Sequence, residues 1–141
     1  MNREAIYSAL WSRVSQLPGF VTVSRRLRHW TDVDSLAQPA LFMAQGSEEI
    51  ETLTGEPSRW KLMPKFYIYA RTNGDTPAGV VLNPLLDSVC AAVSEFHPVT
   101  GRSTLHVEGV SHCRVEGVIQ TDEGSLGDQA VAIVPVVILA S

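Results

Sequence analysis

The sequence contains no long apolar run. A membrane-spanning helix needs roughly 20 consecutive apolar residues. The longest stretch here, QAVAIVPVVILA from Gln129 to Ala140, is much shorter and follows a charged, glycine-containing approach, DEGSLGD, so no membrane partner is expected. Cysteine is scarce as well. Cys90 and Cys113 are the only two, too few for the disulfide framework of a small secreted domain, and a reducing compartment with two free thiols is the simpler expectation. The metal-binding spacings C-x-x-C and H-E-x-x-H and the EF-hand loop are missing, as is the phosphate-cradling G-x-x-x-x-G-K-[ST]. No 20–50-residue repeat and no low-complexity linker interrupts the chain. Excess positive charge is also lacking. Eleven Lys and Arg stand against 15 Asp and Glu, a net charge of −4 and a pI near 5.5, which removes any general attraction to nucleic acid or anionic lipid.

What is present suits one globular domain over residues 1–141, with 45% hydrophobic residues in 15.4 kDa. MNREAIYSALW carries polar residues through its apolar pattern and reads as a helix start, not a signal peptide. Residues 2–17 place Ile6, Leu10, Val14 and Leu17 at helical spacing, with Tyr7 and Trp11 on the flank. Asn2 can cap this helix and Pro18–Gly19 stop it. Alternation predicts strands over Phe20–Trp30, Pro39–Gly46 and Lys61–Arg71, the last with Phe66, Ile68 and Ala70 opposite Tyr67 and Tyr69. The acidic stretch Ser47–Trp60 reads as a mobile loop or an excursion of the hairpin. Asn83–Pro84 opens a second helix whose face is Leu85, Leu86, Val89, Cys90, Val93 and Phe96. Pro84 argues against joining it to the preceding GDTPAGVVL. STLHVEGV, HCRVEGVIQT and the terminal run then read as three more strands, the last two forming a long hairpin. This order predicts an α+β fold: a largely antiparallel sheet of about five to six strands with two helices packed on one face.

The terminal strand is apolar on both faces. Val131, Ile133, Pro135, Val137 and Leu139 alternate with Ala132, Val134, Val136 and Ile138, and such a strand needs cover on both sides. The helices can supply one cover; nothing in the sequence supplies the other. Val131, Ile133, Val137 and Leu139 are therefore candidate interface residues, and the strand is either central or interfacial.

Convergent chemistry is sparse. Ser111, His112 and Cys113 are consecutive, so alternation sends His112 away from its neighbours, and no nucleophile-elbow pattern surrounds them. His106 across a hairpin from His112 and Cys113 is a thin zinc candidate. Glu108 and Glu116 read as exposed strand residues. No catalytic residue, metal site or cofactor is expected. Charge placement is more informative. Arg25, Arg26 and Arg28 cluster beside His29 and Trp30, and read either as a solvated edge that discourages strand aggregation or as a contact for phosphates or carboxylates. Acidic counterparts are Glu48, Glu49 and Glu51 and, near the C-terminus, Asp122, Glu123 and Asp128. Residues 1–35 hold five arginines against three acids, and 106–141 one arginine against five acids. Such asymmetry suits head-to-tail contacts between copies.

With its helix NREAIYSALWSRV, its helix NPLLDSVCAAV and its closing hairpin SHCRVEGVIQTDEGSLGDQAVAIVPVVIL, the chain resembles the small tail terminator, or tail completion, proteins of long-tailed bacteriophages. The likeness spans nearly the whole chain as an order of elements and includes no catalytic motif. It implies a virion tail protein, assembled in the host cytoplasm. As a homo-oligomeric hexameric ring at the head-proximal end of the tail tube, it would contact the tail tube protein and the head-completion or neck proteins, with phage DNA passing through the channel without sequence preference. No cofactor is implied. Another neck or minor tail component, an unrelated soluble α+β binding module, and an enzyme built on Ser111, His112 and Cys113 are the alternative readings.

Overall fold

The computed structural model describes residues 1–95 and 98–141; the expected contribution of Phe96 to the second helix falls outside them. Helix α1 spans Arg3–Val14, capped by the Asn2 side chain, which accepts from the Ala5 N–H at 3.1 Å. Strands β1 (Thr22–Ser24), β2 (Ala40–Glu51) and β3 (Arg59–Arg71) follow, then α2 (Ala78–Val93), β4 (Val110–Val115), β5 (Gln120–Asp122) and β6 (Gln129–Ala140). The sheet runs β1-β2-β3-β6-β4, and β5 also pairs with β6. Every pairing is antiparallel except β1 with β2. The α+β fold with a largely antiparallel sheet is thus as expected, and β6 is central, between β3 on one side and β4 and β5 on the other.

Both helices pack on one face. Ile6, Leu10 and Val14 of α1 and Leu82, Val89 and Val93 of α2 share a core with Leu41, Phe66, Ile68, Ala132, Val134, Val136 and Ile138. At about 1.5 Å per helical residue and about 3.3 Å per strand residue, the helices are roughly 18 and 24 Å long under strands of roughly 40 Å. One end of the sheet therefore runs past its helical cover, and Ile50 is 58% exposed there.

Four sequence expectations are corrected. The first strand stops at Ser24 instead of continuing to Trp30, so Arg25, Arg26 and Arg28 leave the sheet and do not alternate across it; single helical turns follow at Trp30–Asp32 and Ser35–Ala37. Beyond the strand, Arg25 pairs with Glu4 of α1 at 2.5 Å and Gln38 enters a buried site. Second, Ser47–Glu51 and Arg59–Trp60 are strand, and only residues 52–58 form the loop. A β-bulge between Ala44 and Ser47 carries β2 past its expected end. Gly46 sits in it with φ +67°, where a Cβ would collide with the Met63 carbonyl oxygen. Third, α2 begins at Ala78 and runs through Pro84. The missing Pro84 N–H leaves the Val80 carbonyl unpaired in the helix, but Val80 is 62% exposed, so water can take that carbonyl. Fourth, STLHVEGV is not a strand, and HCRVEGVIQT is split into β4 and β5. Pro135 of β6 lacks the N–H that would continue the ladder. Residues 116–119 loop out beside it, with Gly117 at φ +115° against the Pro135 ring.

Two polar locks stitch the loops to this frame. Gln38 and Gln129 are 8% and 1% exposed, and their amides exchange hydrogen bonds at 2.8 and 2.9 Å. Gln38 also donates to the Val33 carbonyl, and Gln129 to the carbonyls of Ala70 and Ala130. The segment before β2 is thereby tied to the middle of the sheet. At the other side Arg13 donates to the Ser103 hydroxyl at 3.0 Å, and Ser103 accepts the Cys113 N–H at its carbonyl at 2.7 Å, covering the outer edge of β4.

Candidate functional site

The face of the sheet away from the helices carries the apolar surface of the central strand that lacks full cover. Register fixes its composition, because residues directly paired across strands share a face. Tyr69, Val131 and Asp122 form one row, and Tyr67, Ile133 and Gln120 the next. Further along, Lys65 stands beside Pro135, Arg114 beside Val137, and Lys61 and His112 flank Leu139. At the first end, Val33, Ala40, Phe42 and Tyr69 make a second small core, closed by Trp30 and Ala37 from the segment between β1 and β2. The Tyr69 hydroxyl donates to the Arg28 carbonyl at 2.6 Å, and the Arg28 guanidinium lies 5.4 Å from the Phe42 ring centre. Burial and the neighbouring Tyr67 push the Tyr69 phenol up to about 12, so it stays a neutral donor.

The four candidate interface residues all lie on this face, with graded exposure. Val137 is 6% exposed, Val131 and Ile133 are half-buried, and Leu139 is 40% exposed. Cationic side chains rim the strip: Lys61 stands 4.0 Å from Glu49, Arg114 stands 3.2 Å from Glu116, and Lys65 is exposed. The result is an apolar centre with a charged margin, the anatomy of a protein interface.

The charged candidates separate. The Gly46 bulge shifts the alternation, so Glu48 turns to the helical face while Glu49 and Glu51 turn to the open one, opposite Lys61 and Arg59. Glu48 is used within the chain: Arg3 pairs with it at 2.9 Å, and the Tyr7 hydroxyl donates to it at 3.0 Å. Arg25 is likewise engaged with Glu4, and that pairing with the Ser8 hydroxyl's bond holds the Glu4 carboxyl below its usual range. Asp122 shapes the turn after β5, accepting from the Gly124 N–H and from the N–H and hydroxyl of Ser125. Glu123 lies against Gly79 in the first turn of α2, where helix N–H groups favour negative charge. The Asp128 carbonyl accepts from the Thr72 N–H at 3.0 Å. Arg26 is exposed in a shallow groove with Ser24, Leu27 and Asp32. The Arg25–Arg28 cluster and the two acidic segments are therefore not free complementary patches. Arg25 and Glu48 are spent inside the subunit.

The Ser111, His112 and Cys113 trio does not converge. Ser111 sits in a bulge and donates to the Leu139 carbonyl, His112 pairs with Leu139 on the open face, and Cys113 pairs with Ile138 on the helical face. Cys113 is 1% exposed, and burial pushes its thiol up to about 12, which keeps it from forming a thiolate near neutrality. His112 and Cys113 lie on opposite faces, and among the described residues no group of three His, Cys, Asp or Glu is placed to hold a metal ion. Glu108 and Glu116 are exposed. No helix among the described residues is long and apolar enough to cross a membrane.

Sequence reasoning missed the aromatic end of the open face. Trp30 and Tyr67 were visible, but nothing local says that a segment outside the sheet folds back beside them. Alternation in β3 placed Tyr67 and Tyr69 correctly on one face, and that was the available signal. No protein-family model and no curated protein matches the chain.

Proposed function

We propose that the chain is a structural subunit that assembles with copies of itself into a ring of six on the head-proximal end of a bacteriophage tail tube. There it stops tube growth and joins the tail to the head-completion proteins, with phage DNA passing through the ring. The observation that carries this reading is the open face of β6. A central strand whose second face holds Ile133 half-buried and Leu139 at 40% exposure is poorly served by water and well served by a neighbouring subunit. At about 25 cal/mol per Å² of apolar surface the gain is substantial, although association offsets part of it through lost freedom. The charged rim of Lys65, Arg114 and Glu49 would set register between neighbours. The order of elements, shared with tail terminators in the resemblance noted above, supplies the ring and the tube as partners.

The test is native mass across a wide concentration range, with negative-stain images of the same samples and a parallel mixture with purified tail tubes. A closed ring of six copies, or rings seated on tube ends, is the expected outcome. A Leu139→Lys variant should keep its fold and lose both. Monomer at every concentration together with bare tube ends would overturn the proposal. Seating at another neck or tail position would move it to the neighbouring class of minor tail components.

A further inference from the structure

A groove of about 600 Å³ runs along the open face between the Trp30 segment and the β5–β6 hairpin. Its floor is apolar, made by Val131 and Ile133. One wall is aromatic: Tyr67 and Trp30, both half-buried, line it beside Tyr69, which is 4% exposed, and the His29 ring lies 5.1 Å from that of Trp30. The opposite wall is polar, with Gln120 and Asp122 set by strand register directly across the floor from the tyrosines. Among the described residues no lysine or arginine lines the groove, in contrast to the Arg26 groove nearby.

We propose that this groove binds the guanidinium side chain of an arginine presented by a partner protein chain. An aromatic face attracts a cation through its ring quadrupole, and a planar guanidinium can stack on such a face while donating edgewise to a carboxylate. The slot offers both from opposite walls, and its floor matches the aliphatic stem of an arginine. Asp122 is suited to the task. Hydrogen bonds from Ser125 and Gly124 hold its carboxyl below the usual range, so it is charged at neutral pH, and they anchor it without using all its acceptor positions. An anionic ligand would meet a carboxylate here and no compensating cation. The inference concerns one end of the face and does not depend on ring formation.

The test is an NMR titration of the full-length protein with Nα-acetyl-arginine methylamide, beside its neutral isostere, Nα-acetyl-citrulline methylamide. Expected are saturable shifts confined to the Trp30 indole, Tyr67, Gln120 and Ile133, with the citrulline compound at least several-fold weaker. Asp122→Asn keeps an oxygen for the turn and should weaken arginine binding roughly three- to fivefold. Its amide spectrum reports whether the hairpin is intact, and Tyr67→Leu provides a second variant that leaves the turn alone. Absence of saturable shifts, shifts centred elsewhere, or equal binding of the citrulline compound would overturn the proposal.

Discussion

The two faces of β6 carry side chains of the same kind and end in different surroundings. Ala132, Val134, Val136 and Ile138 are all 0% exposed under the helices. On the other face Val131, Ile133 and Pro135 are half-buried, and Leu139 is 40% exposed. Side-chain chemistry does not separate the faces, since both are aliphatic. What separates them is which one the helices reach. Apolarity on a strand face therefore states a need for cover, and the subunit meets that need fully on the helical face and only in part on the other, where Val137 is 6% exposed and Leu139 40%.

The largest effect that would sharpen this comparison is on the helical side. Ile138→Ala should cost about 2–5 kcal/mol, because a cavity forms in a packed core that relaxes only partly, read as a lowered urea midpoint. Leu139→Ala, one residue away, should cost well under that in the isolated subunit while weakening assembly. Equal losses for the two would break the distinction between the faces. Gln129→Leu comes next. It leaves the buried Gln38 amide without its partner, at about 1–3 kcal/mol, and should loosen the segment that covers the first end of the open face. Hydrogen exchange at residues 33–38 would report this, and a Gln38→Leu, Gln129→Leu pair should recover part of the loss. Gly46→Ala is expected at about 1–3 kcal/mol, because the bulge needs a positive φ and no Cβ. An unchanged thermal midpoint would show that the bulge accepts a Cβ and does not depend on glycine.

The smallest effect is a pH dependence on the open side. The His112 pKa is lowered by burial and then by Arg114, against the opposing pull of Glu116, and its Nε2 has no hydrogen-bond partner among the described residues. The unfolded chain therefore binds the proton more readily, so stability should fall as pH drops through the ordinary value of 6.5 towards the lowered one. Because the ring is only partly buried, the loss should be slight, and His112→Gln should flatten the pH dependence of the thermal midpoint between pH 7.5 and 5.5. A profile identical to that of the parent would remove His112 as its source.

The fold class was readable because its signals are local. Asn2 caps α1 as its position suggests, Ile6, Tyr7, Leu10 and Val14 are buried at helical spacing, and Phe66, Ile68 and Ala70 share the face opposite Tyr67 and Tyr69. The candidate site was readable in part. Alternation put Val131, Ile133, Val137 and Leu139 on one face. It could not show that Glu48 would be claimed by Arg3 and Tyr7, or Arg25 by Glu4, since those partners stand 45, 41 and 21 residues apart. The helix start was misjudged at Pro84 because propensity penalises proline without knowing that the orphaned carbonyl would face water.

By itself, then, the sequence determined the periodicities of α1, of the Phe66–Ala70 stretch and of β6, and that β6 is apolar on both faces. These follow from backbone geometry and side-chain shape over a few neighbours. Only the tertiary structure decided what each face meets. The Gly46 bulge reassigns the glutamates, the Pro135 gap splits β4 from β5, and the Gln38–Gln129 pair ties the segment before β2 to the sheet beside the groove. Each depends on groups distant in sequence, whose pairing is worth its entropic cost only once the sheet has brought them together.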